Sequence, residues 1–221
     1  MFKDKEDINH RNKKDYLKNI KLLSDAVQND APNYLNNFLL QGVESQEKLH
    51  NPNHKYCDYK KTDSNRITEK RICRCMYYFN SSKNEKCKNC LFSLKWKNES
   101  EYEIINYEVP MPKVVKKTGG IDLLLKSKNN NKIFATEVKP EYSTETLVRM
   151  IAEILTYCEI SNYHLENYGK IIPAICFFKD SKQWEDYEIY KNDPHFKILM
   201  KKVQIFYITH TESSFDIHKL N

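Results

Sequence analysis

Apolar side chains recur at helical spacing near the start of the chain. Tyr16, Leu17, Ile20, Leu23 and Val27 fall on one face and predict a first helix. A second is predicted after Pro32, using Tyr34, Leu35, Phe38 and Leu39 and running on through Glu44 and Glu47 until Asn51-Pro52-Asn53 stops it. Residues 1–14 are polar, and fraying is expected there.

The pattern changes after residue 100. Glu101 to Val109 is extended in character and is closed by Pro110-Met111-Pro112. Ile121–Leu125 and Lys132–Val138 read as two strands joined by the turn Ser127-Lys128-Asn129-Asn130-Asn131. Leu147, Met150, Ile151, Ile154, Leu155 and Cys158 then trace one buried helical face. Gly169 ends the linker that follows, and the eight residues Ile171 to Phe178 read as a fully buried strand. Asp180 to Asp193 is polar and reads as irregular, and Lys202–Thr209 is expected to be the final strand. Strand–strand–strand–helix–strand predicts an α/β domain with a mixed sheet and a right-handed crossover. Three regions result: N-terminal helices over 1–53, a cysteine-rich segment over 54–97, and an α/β core over 98–221.

The chain has 221 residues, 40% of them hydrophobic, enough to bury a core. No apolar run is long enough for a membrane-spanning helix. Met1 to Asp7 has no apolar stretch behind its charges, so no secretory leader is expected. The expected compartment is the cytoplasm, with reduced cysteines. Charge is unevenly spread. Residues 55–97 hold twelve Lys or Arg against four Asp or Glu, a local excess of eight positive charges in a chain whose net charge is +6. Such a block suits a polyanion, with Lys60, Lys61, Arg71 and Arg74 as its candidate contacts. The plainer alternative is drift in a chain rich in Lys and Asn throughout.

The sharpest chemical feature is Gly119-Gly120-Ile121-Asp122 followed by Glu137-Val138-Lys139. Glu137 and Lys139 lie two apart on a predicted strand, so they share a face, and Pro140 ends the strand beside them. The hairpin brings Asp122 to the same place. The two glycines predict an unusual backbone angle or a close approach to a nucleic-acid backbone, or else a plain tight turn. Two carboxylates supply oxygen ligands for Mg²⁺ or Mn²⁺, which neutralises a phosphate and acidifies a bound water. An ammonium such as that of Lys139 can orient or deprotonate the water or stabilise the transition state. Together these groups suit phosphodiester hydrolysis. The bland alternative is a solvated Glu-x-Lys on an edge strand.

These residues resemble the PD-(D/E)xK nuclease superfamily, which includes restriction enzymes and RecB-like nucleases. The resemblance covers roughly residues 101–178, with Ile121-Asp122 in place of Pro-Asp. It implies a restriction-endonuclease-like αβββαβ core, metal-dependent cleavage and DNA as the usual substrate, with RNA possible. It also implies an auxiliary pair on the helix after the lysine. The matching positions are Glu153 and Tyr157, where the family pattern has Gln and Tyr. They could face the site, or form a solvated face with an Arg149–Glu153 ion pair. Members often add a Glu from the first core helix. Glu44, Glu47 and Glu99 are the candidates here.

Cys73-Arg-Cys75, eleven residues, then Cys87-Lys-Asn-Cys90 is a four-thiolate arrangement suited to structural Zn²⁺. Cys57 or His54 could replace one member, and an iron–sulfur cluster, which some RecB-like nucleases carry, is the alternative. Bound metal would let so polar a segment fold. The expected function is a Mg-dependent endo- or exodeoxyribonuclease with a zinc-stabilised basic module that holds DNA. The alternative is a catalytically inactive nucleic-acid-binding zinc protein of the same fold. The sequence carries no signal of oligomeric state.

Overall fold

The computed structural model describes residues 12–29, 68–80, 101–110, 120–161, 168–210 and 215–220. Its elements in chain order are α1 (Lys13–Asn29), α2 (Glu69–Asn80), β1 (Tyr102–Pro110), β2 (Gly120–Ser127), β3 (Ile133–Lys139), α3 (Leu147–Ser161), β4 (Ile171–Phe178), α4 (Lys182–Tyr190), α5 (Pro194–Met200), β5 (Gln204–His210) and β6 (Phe215–Lys219).

This is a mixed α/β protein built on one six-stranded sheet, in the order β1-β2-β3-β4-β5-β6. β2 runs antiparallel to both β1 and β3. β3, β4 and β5 are parallel, joined through α3 and then through α4 and α5, and β6 returns antiparallel. Parallel strands need such helical crossovers because no tight turn can join them. Both faces of the sheet are covered. On one, Tyr16, Ile20 and Leu23 of α1 and Leu147, Met150, Ile151 and Ile154 of α3 pack with Ala135, Ile175, Phe177 and Ile205. On the other, Ile72, Cys73 and Met76 of α2 pack with Leu123, Val138, Cys176 and Phe206. β3 lies inside the sheet with every residue buried, which accounts for its near-continuous apolar run.

The apolar stripe of α3 is buried as its spacing predicts, with Leu155 only half-buried. Elsewhere the sequence expectations need correction. The segment expected to be irregular contains α4. Ser181 caps it, its Oγ accepting from Trp184 N, and Trp184, Tyr187 and Tyr190 repeat every three residues on it. α5 follows, capped by the Asp193 carboxylate with Pro194 in the first turn. β5 is not the last strand, since Phe215–Lys219 forms β6. Helix α1 begins at Lys13, inside the stretch expected to fray. Gly120 lies in β2 opposite Pro110. Gly169, with φ +73°, is the glycine whose conformation other residues adopt at a cost. The helix expected after Pro32 lies outside the described residues, and so does Gly119. No helix among the described residues is long and apolar enough to cross a membrane.

Candidate metal centre

The β2–β3 ladder runs from Lys126↔Ile133 to Leu123↔Thr136 and then changes character. The next contact is made by a side chain, with Asp122 Oδ2 accepting from Val138 N at 2.7 Å. The carboxylate is thereby fixed by the backbone of the strand that carries Glu137 and Lys139. These two point the same way, as residues two apart on a strand must, and Lys139 Nζ lies 2.6 Å from Glu137 Oε1. Both are almost fully buried.

A third carboxylate comes from α2. Glu69, in the first turn of that helix, places Oε2 2.8 Å from Lys139 Nζ. Carboxylate oxygens of Glu69, Asp122 and Glu137 all lie within 4.8 Å of one another. Glu69 lies outside the sequence-predicted set, and the predicted candidates Glu44, Glu47 and Glu99 lie outside the described residues. Its signal was present in the sequence. Glu69, Ile72, Cys73 and Met76 follow i, i+3, i+4, i+7, which puts Glu69 in line with a buried helical face.

A second ring of charge surrounds the first. Glu145 Oε2 reaches Lys139 Nζ at 3.1 Å, and Glu145 Oε1 lies 3.5 Å from Arg149. Arg149 Nε also donates to Glu153 Oε1 at 3.1 Å. The predicted ion pair therefore exists, but on a face that is not solvated, because Glu153 and Tyr157 are both buried. The loop that carries Glu145 is held from α4. Buried Gln183 donates through Nε2 to the carbonyls of Ser143 and Glu145 at 3.2 and 2.6 Å. On the β1 side the register sets Glu108 opposite Asp122. Glu108 has φ 46°, a strained angle for a residue with a side chain, and its carboxylate meets Arg74 at 3.4 Å.

Five carboxylates (Glu69, Asp122, Glu137, Glu145 and Glu153) thus face two cations (Lys139 and Arg149), leaving three formal negative charges in excess. The acids respond as buried like charges do. Burial first, then the charges of Glu137 and Glu69, push the Asp122 carboxyl well above its usual range. Burial pushes Glu137 up to about 8 against the pull of Lys139. For Lys139, burial acts downward, but Glu137, Glu69, Asp122 and Glu145 together raise it well above the ordinary lysine value. Burial, then Glu153, Glu137 and Asp122, raise the Tyr157 hydroxyl. Oxygen-only donors with excess negative charge fit a hard divalent cation and suit neither a soft metal nor an anion.

The other predicted residues fall differently. Cys73, on α2, is fully buried in the core, and burial, then Asp122 and Glu69, hold its thiol well above its usual value. Cys75 is half-buried on the same helix, while Cys87, Cys90, Cys57 and His54 lie outside the described residues. Arg74 is engaged with Glu108. Arg71 lies on α2 with its side chain not described, and Lys60 and Lys61 lie outside the described residues. Cys158 and Cys176 are core thiols, that of Cys158 pushed up to about 12 by burial and then Glu159.

No family model and no curated protein matches the chain. Among solved structures, the structure of Pyrococcus furiosus SfsA in complex with Ca²⁺ is similar at 15% identity and a TM-score of 0.25. The match covers 60% of this chain and 57% of that one, so it spans just over half of that protein.

Proposed function

We propose that the protein is a metal-dependent nuclease of the PD-(D/E)xK type that hydrolyses phosphodiester bonds in DNA. One observation carries the reading: the carboxylates of Glu69, Asp122 and Glu137 gather within 4.8 Å at a strand end beside the Lys139 ammonium. Glu69, Asp122 and Glu137 would hold Mg²⁺ or Mn²⁺. When bound, such an ion supplies charge neutralisation for a phosphate and a water of lowered pKa. The remaining work falls to the chain. Val138 N orients Asp122, and Lys139 orients Glu137. In the metal-free protein four carboxylate neighbours raise Lys139 above the ordinary lysine value, and its ammonium is placed to donate to charge developing on the phosphate. Glu153 and Tyr157 serve as buried supports behind Glu137.

The basic segment over 54–97 is the proposed grip on the nucleic acid, with structural zinc as its proposed stabiliser. Elemental analysis of the purified protein tests the metal: zinc supports it, and iron would replace it with an iron–sulfur cluster. The function itself is tested by incubating the protein with plasmid and linear DNA in Mg²⁺, Mn²⁺ or EDTA. Cleavage that needs the metal and vanishes in Asp122→Asn and Glu137→Gln is expected. Binding without cleavage in any metal, or cleavage that survives both substitutions, would overturn it.

A further inference from the structure

The loop after β3 has a second peculiarity. Both of its feet stand in the metal centre, one at Lys139 and the other at Glu145, whose carboxylate returns to Lys139 Nζ. Between them the chain is fixed. Ser143 N donates to Pro140 O at 2.9 Å, Glu145 N donates to Ser143 Oγ at 3.2 Å, and Gln183 holds two of the loop's carbonyls from behind. At the apex of this clamped turn Tyr142 is 63% exposed, one of three large hydrophobic side chains left in solvent among the described residues. Its neighbour Glu141 lies 3.7 Å from His210 at the end of β5. The His210 side chain is 40% exposed, and its ring stacks on Phe215 with centroids 5.6 Å apart and planes inclined by 24°.

A single exposed aromatic residue is ordinary on a protein surface. Here the backbone beneath it is immobilised, and a second ring pair is attached to the same turn through Glu141. The turn also borders the open side of the centre, where Glu69 and Glu145 have side chains 35% and 27% exposed. We infer that Tyr142 and the His210–Phe215 pair form an aromatic lip that stacks unpaired nucleobases beside the metal centre, so that the strand engaged there is single-stranded or frayed. This rests on the nuclease reading above. The physical ground is that bases within a duplex have both faces occupied by their neighbours, whereas an unpaired base offers an open face to a ring. Stacking also tolerates any base, so the lip selects strand state and not sequence.

The test measures binding of a labelled single-stranded oligonucleotide and of the blunt duplex of the same sequence, in Ca²⁺, together with cleavage of both in Mn²⁺. Tyr142→Ala should weaken single-strand binding about ten-fold and leave duplex binding within about two-fold, with unchanged melting. Tyr142→Trp should retain the wild-type preference. Equal effects of Tyr142→Ala on both substrates, no effect on either, or a Trp variant as weak as the Ala variant would overturn the lip. A wild type that cleaves only duplex would overturn the lip and leave the nuclease reading standing. A wild type that neither binds nor cleaves either substrate would overturn both.

Discussion

The two ends of the β2–β3 hairpin make an instructive pair. At the turn end the backbone ladder closes regularly, with Ser127 N donating to Lys132 O at 2.9 Å and Asn130 Oδ1 accepting from Lys132 N at 3.1 Å. Lys128 and Lys132 are exposed there. At the other end the same two strands bring together Asp122, Glu137 and Lys139, and a carboxylate takes the place of a backbone rung. The residue types are alike: charged groups next to a strand terminus. The difference is burial. In water a charge is worth little to its neighbours, while in the interior each must be neutralised or must change protonation. Covered by α2 and α3, one end becomes a buried acidic cluster that could hold a divalent cation, and the uncovered end remains a turn.

That contrast can be broken at its strongest point first. Asp122→Asn and Glu137→Gln should each lower cleavage on the order of 10³-fold, by analogy with other lost electrostatic contacts in active sites. Asp122→Ala should in addition cost about 1–3 kcal/mol in urea unfolding, because Val138 N loses its acceptor. The Asn variant keeps an acceptor oxygen and should recover most of that loss. Alanine at Lys128 or Lys132, at the exposed end, should stay within about 0.5 kcal/mol of wild type.

Lys139→Met comes next. It leaves Glu69, Glu137 and Glu145 without their shared cation, and removing one partner of a buried pair costs about 3–5 kcal/mol. Turnover should be lost while calorimetry still detects Mn²⁺ binding. A variant as active as wild type would remove Lys139 from the chemistry.

pH separates the two ends without mutation. The Glu137 carboxyl is raised from 4.5 to about 8, so the folded state holds a proton that the unfolded chain releases. In the metal-free protein the stabilising contribution of this proton should therefore be fully present below about pH 4.5 and be lost as pH rises through about 8. Asp122, raised for the same reason, adds in the same direction. Lys139, raised above the ordinary lysine value, stays charged throughout that window and contributes no slope. Divalent cations should restore melting temperature more at pH 8 than at pH 6, as scanning fluorimetry can measure. Among changes at the buried end, the smallest effect is expected from Gln183→Leu, which frees the loop bearing Glu145 from α4. A stability loss of about 1–2 kcal/mol and a fall in turnover of about ten-fold should accompany it.

The sequence made one half of this centre visible and hid the other. Period-two alternation across a short turn suffices to set Asp122 across from Glu137, and the interior position of β3 follows from its unbroken apolar character. The stripe on α3 was equally plain. Glu69 was hidden because Thr68-Glu69-Lys70-Arg71 opens a charged segment whose cysteine spacing suggests metal binding. Cys73 and Met76 lie on the apolar face of that helix. α4 escaped because its face is made of aromatic residues among acids, which weakens the apolar period although Ser181 announces the start. The Gln183 clamp joins positions about forty residues apart, a distance at which no local pattern speaks.

Lys139 has one more consequence. Its ammonium already engages Glu137 at 2.6 Å and Glu69 at 2.8 Å, two of the three carboxylates a divalent ion would use. Loading the centre with such an ion would therefore be an exchange, in which a tethered cation yields its partners to a free one. The tethered cation competes at an effective concentration set by the strand that carries it, the free one at the concentration of its surroundings. Occupancy would then follow the level of free ion measured against this internal rival. Glu145, outside the carboxylate trio and 3.1 Å away, would still be within reach of the lysine.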